Sequence, residues 1–152
     1  MDNVTVESAI QFAVDQEIQA ADLYASLLEK SKDPKAQEIF AELRDMEIVH
    51  KENLESFDNN DFKKRHSDQP LLNLKLTDYL VEVKPGENLS FQQTLILAAQ
   101  REQKTYALYA ELADKFQFDE ILLKLFTLLA REELLHKDQI ESLYDDTVLS
   151  QN

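Results

Sequence analysis

The chain has no cysteine. That excludes disulfides, zinc knuckles, all-cysteine iron sites and thiol nucleophiles. Glycine occurs once and proline three times in 152 residues, so little in the sequence breaks a helix or forces a tight turn. Alanine, leucine, glutamate, glutamine and lysine dominate instead, a composition that favours long helices over a sheet. Basic residues are also scarce: 16 against 30 acidic, for a net charge of −14. Such a surface repels phosphate backbones, and no nucleic-acid partner is expected. No apolar run approaches the length that spans a bilayer, so no membrane association is expected. The stretch MDNVTVESAI is acidic and lacks the charged-then-apolar layout of a signal peptide. The expected location is the cytoplasm.

Four segments carry helical periodicity. They run over about residues 5–30, 33–57, 90–115 and 119–145. The second opens on Asp33-Pro34, an N-cap followed by proline at the first helical position. The third opens on Ser90 with Gln93 three residues on, the spacing of a capping box. Between the second and third lies a connection over 58–89. Its first part, DNNDFKKRHSDQP, is polar, and its second, LLNLKLTDYLVEV, is apolar enough to pack on the body as a short helix before Pro85-Gly86 ends it. Short, long, short connections predict an all-α, single-domain four-helix bundle over 1–152 with one long crossover between helices two and three.

A seam of alternating three- and four-residue steps runs along each segment. In the first it is Val6, Ile10, Ala13, Glu17, Ala20, Tyr24 and Leu27; in the second Ala36, Phe40, Leu43, Glu47, His50, Leu54 and Phe57. The third gives Phe91, Leu95, Ala98, Glu102, Thr105, Tyr109 and Leu112, and the fourth Leu122, Phe126, Leu129, Glu133, His136, Ile140 and Leu143. Each seam is apolar except at its middle. Glu17, Glu47, Glu102 and Glu133 each lie roughly twelve to fourteen residues into their helix, about 20 Å along it. Helices of similar length therefore bring all four to one level, whichever way each runs. The second half also repeats the first. Glu17 and Glu102 each have a tyrosine seven residues later, Tyr24 and Tyr109, and the two Glu-x-x-His pairs, Glu47/His50 and Glu133/His136, recur at a fixed offset.

Taking even one ionised carboxylate out of water without a partner costs several kcal/mol. Arg44, Arg101 and Arg131 lie off the seam and are expected to face outward, so no basic side chain is available to the four acids. Either the acids hold protons, or water enters, or cations sit among them. Two divalent ions match four carboxylates in charge, and residues three apart share a helical face. Mixed carboxylate and imidazole ligation suits iron or manganese, with zinc a further option.

The four motifs in order, Glu17 with Tyr24, Glu47 with His50, Glu102 with Tyr109, and Glu133 with His136, resemble the ferritin-like superfamily, and most closely its rubrerythrin branch, over nearly the whole chain. The resemblance implies two iron ions held by Glu17, Glu47, His50, Glu102, Glu133 and His136, with Glu47 and Glu133 bridging. These six would be the catalytic as well as the metal-binding residues, and Tyr24 and Tyr109 would hydrogen-bond ligand carboxylates. It also implies an oxidoreductase that reduces hydrogen peroxide or dioxygen in an oxidative-stress role, paired as a homodimer. Two departures qualify it. Rubrerythrins carry a further glutamate where this chain has Thr105, beside the site, and they carry a cysteine-ligated domain that feeds in electrons. An external electron donor is therefore expected.

Blander readings stand beside these. Either histidine could be a core residue satisfied by its own glutamate. The tyrosines could merely fill space. His66, in the polar KKRHSD stretch, reads as solvated, and Glu132, adjoining Glu133 but off the seam, reads as a surface residue ahead of a partner to the ligands. At the level of the whole chain, the alternatives to the redox enzyme are a ferroxidase or iron-storage protein, which needs a hollow cage, and a non-catalytic metal-binding or structural bundle whose apolar 71–83 segment serves a partner.

Overall fold

The computed structural model describes residues 4–56, 70–71, 73–81 and 89–149. Four helices dominate them: α1 (Val6–Lys30), α2 (Pro34–Ser56), α3 (Phe91–Lys115) and α4 (Glu120–Leu149). Each begins where a side chain satisfies the free amide groups of a first turn. Thr5 and Ser8 form a capping box on α1, and Ser90 and Gln93 do the same on α3. Asp33 accepts from the Lys35 amide, 3.3 Å, ahead of α2. Asp119 accepts from the amides of Ile121 and Leu122, 3.1 and 3.2 Å, ahead of α4.

Two apolar clusters show how the helices run. One holds Val6 to Val14 of α1, Leu54 of α2, Leu108 to Leu112 of α3 and Leu122 to Ala130 of α4. The other holds Ala20 to Leu27, Ala36 to Leu43, Leu95 and Ala98, and Ile140. The first cluster thus gathers the start of α1, the end of α2, the end of α3 and the start of α4. Helix α2 is antiparallel to α1 and parallel to α3, so the connection between α2 and α3 must travel back along the bundle. This is an all-α four-helix bundle with one long crossover.

The crossover is tied down at the first cluster. Pro70 pairs with Thr5 in an isolated bridge, and the Leu71 amide donates to the Val4 carbonyl, 2.7 Å. Leu71 and Leu74 are buried in that cluster, with Leu76 and Tyr79 packed against it. Leu71, Leu74, Leu76 and Tyr79 of the crossover therefore face this chain's own core, whereas Leu80 is exposed. Among the crossover's described residues the helical content is a single 3-10 turn, Leu76–Tyr79. Just before it Asn73 sits in the left-handed region at φ 64°, which asparagine tolerates better than most residues.

The seam residues are buried as the periodicity requires, except that Phe91 and Leu143, near the helix ends, are only partly so. Helix α4 runs to Leu149, four residues past the expected end at Asp145. No glycine or proline stops it there, and Thr147 Oγ1 donates to the Leu143 carbonyl, 2.8 Å. Phe57, His66 and Pro85-Gly86 lie outside the described residues. No helix among the described residues is long and apolar enough to cross a membrane.

Phe126 is fully buried and packs its ring near those of Tyr109 and Phe116, at centroid distances of 6.2 and 5.9 Å. Phe126→Ala is expected to cost about 3–5 kcal/mol in a denaturant titration, whereas Ile121→Ala, at an exposed position of the same helix, should stay within about 0.5 kcal/mol.

Candidate metal centre

Between the two apolar clusters lies a polar layer. Glu17 of α1, Glu47 and His50 of α2, Glu102 of α3 and Glu133 and His136 of α4 all project into it. Each of the four carboxylates is only 1% exposed. Their ligand-type atoms form two overlapping sets: Glu17, Glu47, His50 and Glu133, and then Glu47, Glu102, Glu133 and His136, the atoms of each set lying within 4.8 Å of one another. Glu47 and Glu133 belong to both.

The contacts are reciprocal between the two halves of the chain. His50 Nδ1 lies 2.8 Å from Glu133 Oε1, and His136 Nδ1 lies 2.7 Å from Glu47 Oε1. His50 Nδ1 is 3.5 Å from Glu17, and His136 Nδ1 is 3.7 Å from Glu102. The Tyr24 hydroxyl donates to Glu102, and the Tyr109 hydroxyl donates to Glu17. Each half thus hydrogen-bonds the carboxylates of the other. The two imidazole rings stack nearly parallel, 14° apart with centroids 5.6 Å apart.

Among the described residues no lysine or arginine reaches the layer. Arg44 pairs with Asp45, and Arg101 hydrogen-bonds Gln19. With the acids ionised, Oε2 of Glu17, of Glu47 and of Glu102 is buried with no donor among the described residues. Burial pushes the Glu47 carboxyl well above the usual carboxylate range, and the charges of Glu102 and Glu17 add to the shift. Glu133 moves the same way, through burial and then the charges of Glu102, Glu17 and Glu47. Burial pushes Glu17 up too, but hydrogen bonding to Glu47 and His50 outweighs it and leaves Glu17 below its ordinary value. A proton on Glu47 shared toward Glu17 accounts for both directions. Burial alone would lower His50, yet Glu17 and Glu132 raise it. Both buried tyrosines rise well above their ordinary range through burial and neighbouring carboxylates, so their hydroxyls stay protonated and donate.

Thr105 is buried at the edge of this layer, but its hydroxyl donates to the Arg101 carbonyl, 2.7 Å, one turn back on α3. It adds no hydrogen bond to the site. Glu132 behaves otherwise than a surface residue. Its carboxylate bonds Nε2 of His50, on the side of the ring away from the cluster. A signal for this was available in the sequence: a ligand-type histidine uses one nitrogen inward and needs an acceptor for the other.

A groove of about 970 Å³ between α2 and α4 reaches the layer, and Met46, Glu132 and His136 are among its walls. It gives a small molecule a path to the His136 side of the cluster.

No family model matches the sequence, and no curated protein matches it significantly. Among solved structures, the fold is similar to that of a Thermotoga maritima protein provisionally described as a ferritin-like diiron-carboxylate protein. The two share 20% identity with a TM-score of 0.73 over 97% of this chain and 99% of the other. At that identity the likeness bears on architecture, and the architecture of this chain is the ferritin-like four-helix bundle.

Proposed function

We propose that the protein is a di-iron redox enzyme of the rubrerythrin type that reduces hydrogen peroxide, or dioxygen, with electrons from a separate donor. The observation that carries the reading is the pair of overlapping ligand sets, wholly buried and sharing Glu47 and Glu133. The fit to two dications rests on charge and on unsatisfied atoms. Among the described residues the four acids have no lysine or arginine partner and leave three buried carboxylate oxygens unpaired, and two dications answer both deficits. Glu17 and His50 would hold one ion, Glu102 and His136 the other, with Glu47 and Glu133 between them. Carboxylate and imidazole donors suit iron or manganese.

When bound, a pair of iron ions supplies the two electrons for cleaving an O–O bond. The remaining work falls to the chain. Hydrogen peroxide plus two electrons and two protons gives two waters, so the donor must restore two electrons per turnover. Tyr24 and Tyr109 fix Glu102 and Glu17 across the helix pairs and hold those carboxylates in one orientation. The apolar clusters on either side close the layer along the bundle and leave the groove as its approach. The groove beside His136 admits an oxidant of peroxide size.

Iron-loaded protein is expected to hold about two ions per chain, and after anaerobic reduction to be reoxidised by one equivalent of peroxide, faster than by dioxygen, in stopped-flow absorbance. Glu47→Ala should lose at least half the metal. Undiminished loading of that variant, or no iron uptake at all, would refute the reading. Reoxidation with accumulation of a mineral core inside a large shell would favour storage instead.

Metal must also displace protons from the cluster. Glu47 and Glu133 ionise at higher pH in the folded chain than in the unfolded one, and His50 holds its proton to higher pH as well. Each contributes stability that is present at low pH and lost as pH rises. Glu17, shifted the other way, acts only in acid. The melting temperature of the metal-free protein should therefore fall as pH rises above about 5, with a shallower slope once metal is bound.

A further inference from the structure

The two halves of the centre match in their ligands but not behind them. Nε2 of His50 bonds the carboxylate of Glu132. The residue standing to His136 as Glu132 stands to His50, at the same 86-residue offset that relates the two histidines, is Met46. A thioether carries no charge and accepts only weakly. Among the described residues no side chain bonds Nε2 of His136, whose contacts all run through Nδ1. His136 is also the more exposed of the two, 5% against 1%, and it lines the groove beside Met46.

A carboxylate behind a ligating histidine fixes the ring and makes it a stronger donor. We propose that the two metal positions are unequal: the one held by Glu17 and His50 is tight and fills first, and the one held by Glu102 and His136 is weaker and exchanges through the groove. Glu132 is then a positioning residue for the tight position, and Met46 is the reason the other is loose. This rests on the reading that the centre holds two dications, but not on which oxidant it reduces.

Titration of the metal-free protein with Mn²⁺, with free ion followed by electron paramagnetic resonance, tests it without turnover. Two steps separated by about tenfold or more are expected, and Glu132→Gln should weaken the tighter step by about 10- to 100-fold while sparing the weaker one. Met46→Glu should tighten the weaker step. His50→Ala should abolish the tighter step, and His136→Ala the weaker. Glu132 is partly exposed, so the glutamine variant should fold as the parent does, which circular dichroism checks. Two equal steps in the parent, a tighter step untouched by Glu132→Gln, or loss of the tighter step in His136→Ala would overturn the inequality while leaving the two-metal reading intact. Failure to bind any Mn²⁺ would overturn both.

Discussion

Mutual repulsion among four carboxylates, held in one buried layer that no lysine or arginine among the described residues enters, governs this molecule. Glu17, Glu47, Glu102 and Glu133 are as buried as the leucines that flank them. Burying an isolated charge costs several kcal/mol, and here each acid also raises the cost of its neighbours. Burial and the neighbouring charges push Glu47 and Glu133 toward holding protons. Dications would answer the repulsion more completely, since they also satisfy the carboxylate oxygens that no donor reaches.

The same layer joins the two helix pairs. Helices α1 and α2 pack closely, as do α3 and α4, whereas α2 and α4 barely touch. Across that open side run the site's bonds from His50 to Glu133 and from His136 to Glu47, while Tyr24 to Glu102, Tyr109 to Glu17 and Arg101 to Gln19 join α1 to α3. A metal bound in such a layer would couple its occupancy to how the pairs sit against each other. The apolar clusters on both sides fix the level at which the six side chains meet, because each seam places its acid near the middle of its helix.

Much of this was legible in the sequence because the signals were periodic. A seam kept over seven positions identifies a buried face, and an acid at its centre in all four helices stands out against an otherwise apolar stripe. The capping residues Asp33 and Ser90 marked helix starts through a local hydrogen bond that depends on few other residues. The end of α4 was less legible, since a helix without glycine or proline fades rather than stops. The apolar part of the crossover was read as a short helix packed on the body; among its described residues Leu71 and Leu74 do pack on the core, and the helical part is a 3-10 turn. Glu132 was misread because it lies off the seam. Its partner is His50, 82 residues away, and sequence spacing alone does not show that contact. The Thr105 hydroxyl likewise turned back to its own helix, an option open to any helical threonine.

The most direct test of the electrostatic account is the stability of the metal-free protein at pH 8 with two charges removed. Glu47→Gln combined with Glu133→Gln keeps the shape and discards the repulsion, so the doubly substituted metal-free protein should melt above the metal-free parent. Added Mn²⁺ should stabilise the parent strongly and the double variant little. A parent that is already the more stable without metal, and indifferent to it when added, would contradict the account.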